Sequence, residues 1–141
     1  SIPVNRTDGD ALDRMYLDVT IPVLHLTGTK DSSPFDLQGP EARQLPFEHC
    51  KQPDQILIVF KDGDHAVFAA SLDENDNRRK LLARLRPAQN YSTIQPIVIE
   101  STTHFWKKWL LDDATSGEWL KTQLTSRVGD AGTVKYKSDR R

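Results

Sequence analysis

Apolar residues gather in the first half of the chain as two short unbroken runs. Ile21-Pro22-Val23-Leu24-His25-Leu26-Thr27-Gly28 stops at a glycine and opens with a proline near its start, where a missing N–H does least harm. Ile56-Leu57-Ile58-Val59-Phe60 is wholly apolar and is stopped by Lys61-Asp62-Gly63-Asp64. Neither run alternates apolar with polar. A continuous, β-branched-rich run of this length suits a strand covered on both faces, as in a parallel sheet flanked by helices. A short buried helix shares the pattern, but the length and the glycine bounds favour strands.

Elsewhere the spacing is helical. Asp8-Gly9-Asp10 offers capping residues before Ala11, and Leu12, Met15 and Tyr16 stand at i, i+3 and i+4, which predicts a short helix after a loop over residues 1–9. Residues 72–85 contain Arg78-Arg79-Lys80-Leu81-Leu82-Ala83-Arg84-Leu85, a helix-forming run that Pro87 closes; Leu72-Asp73-Glu74-Asn75-Asp76-Asn77 either joins it or stays a loop. Asn90-Tyr91-Ser92-Thr93 caps the longest predicted helix, 94–111, in which Pro96 is tolerable only within the first turn. Ile94, Ile97, Val98, Ser101, Phe105, Trp109 and Leu110 define its buried face. Residues 112–116 break the pattern, 117–124 add a last helix, and glycines and charges after Ser126 read as a loose tail.

The order helix, strand, long loop, strand, loop, helices belongs to an α/β layered fold. Two parallel strands alone do not make a domain, because each presents an unpaired edge and a half-covered face. The pattern therefore asks for further strands, from another chain or from the other half of a larger domain.

Length and charge narrow the class. A chain of 141 residues supports one modest domain. Nineteen Lys and Arg against twenty Asp and Glu give a net charge of −1, so non-specific nucleic-acid or anionic-membrane binding has little long-range electrostatic support. No apolar run approaches the roughly 18–20 residues of a spanning helix. Cys50 is the single cysteine, which forbids an intrachain disulfide and any multi-cysteine zinc or iron–sulfur site. A disulfide-free protein fits the cytoplasm and an exported state equally. The opening Ser1-Ile2-Pro3-Val4 has no Met and no secretory pattern, so the chain is expected to start inside a processed protein or to be a fragment.

Two residues carry the candidate chemistry. Gly28-Thr29-Lys30-Asp31 lies immediately after the first run, and in open α/β sheets catalytic groups gather beyond the carboxyl ends of strands. His65, in Asp62-Gly63-Asp64-His65-Ala66-Val67-Phe68, occupies the matching place after the second. Either alone is an ordinary turn residue. Together, an acid after one strand and a histidine after the next match two members of a triad in the order acid, then His.

These segments resemble the α/β-hydrolase family. Residues 21–31 are similar to its penultimate strand and acid loop, and Ile56 to Phe68, with Gly63-Asp64-His65-Ala66-Val67-Phe68, to its last strand and histidine loop. The helix containing His104-Phe105-Trp106-Lys107-Lys108-Trp109-Leu110 resembles the one that closes the fold. The nearest likeness is to dienelactone-hydrolase-like, platelet-activating-factor-acetylhydrolase-like and polyester-hydrolase-like esterases. The resemblance spans about residues 21–124 and rests mainly on the two loops. It implies a partial α/β-hydrolase fold: the last two parallel strands with flanking and closing helices, residues 1–126 as the C-terminal part of one domain, and 127–141 as a polar tail. It further implies Asp31 as triad acid and His65 as general base, a small-molecule ester substrate and no cofactor.

The family pattern is incomplete in these residues. No Gly-x-Ser-x-Gly occurs, and the nucleophile elbow belongs upstream of the acid in that fold. The oxyanion donors are missing with it, and losing one such donor alone typically costs about 10²–10³ in rate. The isolated chain is therefore expected to be inactive, with the nucleophile supplied by an N-terminal half or a second chain. Ser32 and Ser33 adjoin Asp31 without the marks of a strained elbow, and Cys50 falls between acid and histidine, the wrong order. Asp73-Glu74-Asn75-Asp76-Asn77 begins like a calcium loop, but Arg78 and Arg84 stand where glycine and glutamate are required. Asp62, Asp64 and His65 read as a polar turn before a weak cation site, so no metal is expected.

Other residues have plainer readings. His25 reads as a hydrogen-bonded strand histidine, and His104 as helix surface or packing. Trp106, Trp109 and Trp119 read as core packing first and as a substrate wall or partner surface second. Arg43 could anchor the Asp31 loop by a salt bridge. Asn5-Arg6-Thr7 and Asn90-Tyr91-Ser92 match the glycosylation sequon, a pattern short enough to arise by chance. The rival expectations are a non-catalytic assembly module pairing by its sheet edge, and a degenerate hydrolase relative with a structural role.

Overall fold

One strand organises the core on both of its faces. The structure, a computed structural model, describes residues 9–32, 39–68 and 90–137. Strand β1 is Val23–Gly28 and β2 is Gln55–Phe60; they pair in parallel, with Val23 opposite Gln55 and Gly28 opposite Phe60. Every residue of β2 is buried. Successive side chains of a strand point to opposite faces, so Ile56, Ile58 and Phe60 enter the larger core cluster while Leu57 and Val59 meet Phe47 on the other side. Burying each such side chain fully contributes about 1.5–3 kcal/mol. The unbroken apolar run thus reflects two covered faces.

Helices supply both covers. Short helix α1 spans Gly9–Met15, a 3-10 turn covers Pro40–Gln44, and α2 spans Leu45–His49 and carries Phe47. The opposite layer holds α3 (Tyr91–Leu111), α4 (Ala114–Thr122) and α5 (Leu124–Val128). Ile94 and Ile97 of α3, Leu120 of α4, and Leu124 and Val128 of α5 close over Ile56, Ile58 and Phe60. The result is a mixed α/β architecture with five helices among the described residues, none long and apolar enough to cross a membrane.

The expected tail carries structure instead. Gly129–Ala131 forms a 3-10 turn and Gly132–Lys137 forms strand β3, antiparallel to β2, giving the order β1-β2-β3. Val134 packs against the core, and the Tyr136 hydroxyl donates to the Leu120 carbonyl at 2.9 Å. Thr133 to Lys137 alternates in the manner of a half-covered edge strand, a weaker signal than the run in β2. One neighbour that the parallel pair lacked is therefore supplied by the chain's own C-terminal segment. Among the described residues, the other edge of β1 has no strand partner.

Helix α3 departs from expectation at both ends. It starts at Tyr91, which puts Pro96 beyond the first turn. The carbonyl deprived of its partner belongs to Ser92, which is exposed and open to water. At the other end Trp106 is 55% exposed, and Trp109, Leu110 and Leu111 are exposed as well, so Trp109 and Leu110 leave the expected buried face. A helix of 21 residues is about 31 Å long at 1.5 Å per residue, whereas six strand residues span about 20 Å. The helix overhangs the sheet. The break before α4 is confined to Asp112 and Asp113, because the Asp113 side chain accepts from the Thr115 and Ser116 amides and starts the helix at once. The expected helix over 72–85, the loop over 1–9 before Gly9, and the Asn5 sequon lie outside the described residues.

A buried polar knot ties the start of β2 to its neighbours. The Gln55 amide nitrogen donates to the Cys50 carbonyl at 2.8 Å and also to the Gln52 carbonyl. Its oxygen is thereby left to accept from His25 Nε2 at 2.9 Å, which makes Nε2 the protonated nitrogen of the ring. Phe47 meets the same ring edge-on, with centroids 5.7 Å apart. Burial pulls the His25 pKa below its ordinary value of 6.5, and the nearby Lys137 ammonium acts in the same direction. A histidine depressed in the folded state binds fewer protons there than when unfolded, so its contribution is complete above about pH 6.5 and stability falls as the pH drops below that value. Urea unfolding of wild type and His25→Gln between pH 7.5 and about pH 5 checks this. Wild type should lose stability relative to the variant as the pH falls; parallel curves would contradict the assignment.

Candidate active site

The two strand-end loops start side by side and interlock. Gly28 and Phe60 are register partners, so β1 and β2 release their loops at one level. A Cβ placed on Gly28 would lie 2.1 Å from the Gly63 carbonyl oxygen, a clash with backbone that has no flexible end to yield. The contact is stitched by hydrogen bonds. The Thr29 amide donates to the Phe60 carbonyl at 2.9 Å, the Lys30 amide to the Gly63 carbonyl at 2.9 Å, and the Asp62 amide to Thr29 Oγ1 at 2.9 Å. Lys30 Nζ also lies 2.8 Å from Asp62 Oδ1, and this ammonium holds the Asp62 carboxyl below the usual carboxylate range. Asp62 itself takes a left-handed backbone, with φ of 56°.

This interlock brings Asp31 and His65 together. His65 Nδ1 lies 3.1 Å from Asp31 Oδ1, within hydrogen-bond reach. Asp31 is 5% exposed, and its second oxygen accepts from Thr27 Oγ1 at 3.1 Å. The His65 side chain is 80% exposed. With Nδ1 turned to the carboxylate, Nε2 is the nitrogen left to face outward, and none of the described residues hydrogen-bonds it. His65 opens the 3-10 turn His65–Phe68, whose Val67 amide is capped by Asp64 Oδ1 at 3.2 Å. Val67 is buried in the core, and its carbonyl accepts from the Gln95 side chain of α3. The histidine is thus exposed on an anchored turn.

The remaining candidates sort clearly. Arg43 Nε stands 4.0 Å from Asp31 Oδ1, so the 3-10 turn Pro40–Gln44 does reach the acid. Ser32 is exposed, with its amide on the Lys30 carbonyl; Ser33 lies outside the described residues. Cys50 is 2% exposed, and its carbonyl belongs to the knot at the opposite end of β2. Asp62 and Asp64 are engaged by Lys30 and the Val67 amide, and among the described residues no group of three or more His, Cys, Asp or Glu could hold a metal ion. The calcium-like stretch at 73–84 is outside the described residues.

A second histidine, serine and aspartate meet elsewhere, in a different order. Ser116 Oγ donates to Asp113 Oδ2 at 2.8 Å and accepts from His104 Nδ1 at 3.0 Å, while the His104 ring stacks on Trp119 at 4.2 Å. Here the hydroxyl proton is committed to the carboxylate, so the imidazole cannot take it. This network caps α4 and clamps it to α3.

Thr27 and Gly63 escape a reading of the residues alone. Thr27 reads as one more strand residue, and Gly63 as one more turn glycine; the signal that could have found Thr27 is a hydroxyl four residues before the acid. Compared with known proteins, the chain matches no family model, no curated protein and no solved structure.

The interlock has a direct test. Gly28→Ala should destabilise the protein by about 1–3 kcal/mol or more, as overpacking does. At Gly63 the tightest contact of an added Cβ is the Phe60 Cβ at 3.1 Å, with the Gly28 Cα at 3.4 Å and the Phe60 carbonyl oxygen at 3.5 Å, so Gly63→Ala should cost less. Equal costs in urea unfolding would contradict the close approach.

Proposed function

We propose that this chain is the C-terminal part of an α/β-hydrolase-type carboxylic-ester hydrolase, with Asp31 as the triad acid and His65 as the general base. The observation that carries the reading is the 3.1 Å contact between a buried carboxylate and an exposed imidazole, each on the loop following one of two adjacent parallel strands. A hydroxyl is too weak an acid to attack an ester unaided at neutral pH, so a base must take its proton as the new C–O bond forms. His65 Nε2 is that base. Asp31 fixes the ring's tautomer through Nδ1–H and stabilises the imidazolium. The same proton then passes to the departing alkoxide as the ester C–O bond breaks; water next gives a proton to His65 as it attacks the acyl carbon, the bond from that carbon to the nucleophile breaks, and His65 returns the proton to the nucleophile. The nucleophile and oxyanion donors come from upstream sequence or a second chain. No step needs a cofactor.

The edge of β1 that has no strand partner among the described residues supports this placement, since an added parallel strand there would extend the sheet, and Met15, Leu17 and Ile21 lie exposed before the strand begins. The same edge favours the second reading, an assembly module that pairs by strand addition and turns over no ester. Hydrolysis of p-nitrophenyl acetate by the longer protein containing this chain separates the two. Asp31→Asn and His65→Ala should each reduce kcat by about 10⁴ with the fold intact. Rates equal to wild type in both variants would remove the pair from the mechanism.

A further inference from the structure

We propose that Thr27 is a positioning residue, whose hydroxyl locks the plane of the Asp31 carboxylate so that Oδ1 serves His65 and not Arg43. This rests on the acid–base reading of Asp31 and His65. The terminal torsion of an aspartate is broad and roughly two-fold, so burial alone does not choose which oxygen faces which donor. Two groups compete for Oδ1: the imidazole Nδ1 at 3.1 Å, and the Arg43 guanidinium, whose Nε lies at 4.0 Å. Arginine's planar fork seeks two carboxylate oxygens at once. At 4.0 Å it is an ion-pair partner held just outside hydrogen-bond distance.

Thr27 keeps it there. Its Oγ1 donates to Oδ2 at 3.1 Å, occupying the oxygen that a bidentate guanidinium would need. Thr27 is 2% exposed, so its hydroxyl has no water to turn to. Its backbone is set by pairing with Val59 in the parallel ladder, and its branched side chain is stiff at χ1. The donor therefore sits on the most rigid part of the site, while Arg43 sits on a half-exposed turn. Removing the hydroxyl leaves a buried carboxylate oxygen unsatisfied, and the acid then rotates toward the arginine.

The tautomer of His65 reports the outcome, because Asp31 enforces Nδ1–H whereas free imidazole favours Nε2–H. Two-bond ¹H–¹⁵N spectra of the 141-residue chain, taken well above the ordinary histidine pKa and assigned with His65→Ala, measure it directly. Wild type and Thr27→Ser should hold the Nδ1–H form. Thr27→Val should lower the Nδ1–H to Nε2–H ratio several-fold, and adding Arg43→Gln to it should restore part of that loss. Arg43→Gln alone should leave the ratio unchanged, a test that stands even if Thr27→Val does not fold. An unchanged ratio in folded Thr27→Val, a fall in Thr27→Ser, or a fall in Arg43→Gln would each overturn the role of Thr27. A wild-type chain in the Nε2–H form would instead take down the acid–base pairing itself.

Discussion

The backbone of Gly28 passes so close to the carbonyl of Gly63 that no side chain fits between them, and the carboxyl end of the sheet depends on that approach. Parallel pairing brings the ends of β1 and β2 level, but level strand ends do not by themselves make two loops converge. The absence of a Cβ at Gly28 lets the second loop settle on the first, and the Lys30 and Asp62 amides then fasten them. Asp31 lies three residues beyond Gly28 and His65 two beyond Gly63, too short a tether to wander. A buried carboxylate and an exposed ring can therefore meet without any long side chain having to reach.

Rigidity at the site is borrowed from the core. Behind Asp31 stand Thr27 and β1; behind His65 stand Val67, buried among the α3 side chains, and the Gln95 bond to its carbonyl. The central strand that underlies both is covered by helices on two faces and by β3 on one edge. Exposed apolar side chains gather at the C-terminal end of α3 (Trp106, Trp109, Leu110 and Leu111) and in the segment before β1 (Met15, Leu17 and Ile21). The contact between Asp31 and His65 is thus backed by buried residues on both of its loops.

Much of this was legible from residue order alone, for identifiable reasons. The run Ile56 to Phe60 announces a strand buried on both faces because nothing polar interrupts it. Asp31 and His65 stand out because each follows such a run at a glycine-marked turn. The strand β3 was hidden because its lysines, after Gly129 and Gly132, resemble a solvated tail, and only pairing with β2 gives its alternation meaning. Trp119 packs against the core as its type suggests, but Trp106 and Trp109 are exposed, because helix periodicity specifies a face and not where the sheet beneath it ends. Pro96 misled because the helix begins earlier than its apolar positions do. Thr27 is marked in the sequence only by a hydroxyl four residues before Asp31, because the hydrogen bond that distinguishes it forms only when the strand end folds.

The most direct measurement is a crystal structure of the chain at a resolution that fixes ring and carboxylate orientation. The account predicts His65 Nδ1 about 3 Å from Asp31 Oδ1, with Gly28 and Gly63 in backbone contact beneath them. A His65 ring separated from Asp31 by more than a single bridging water, in an ordered pair of loops, would contradict it.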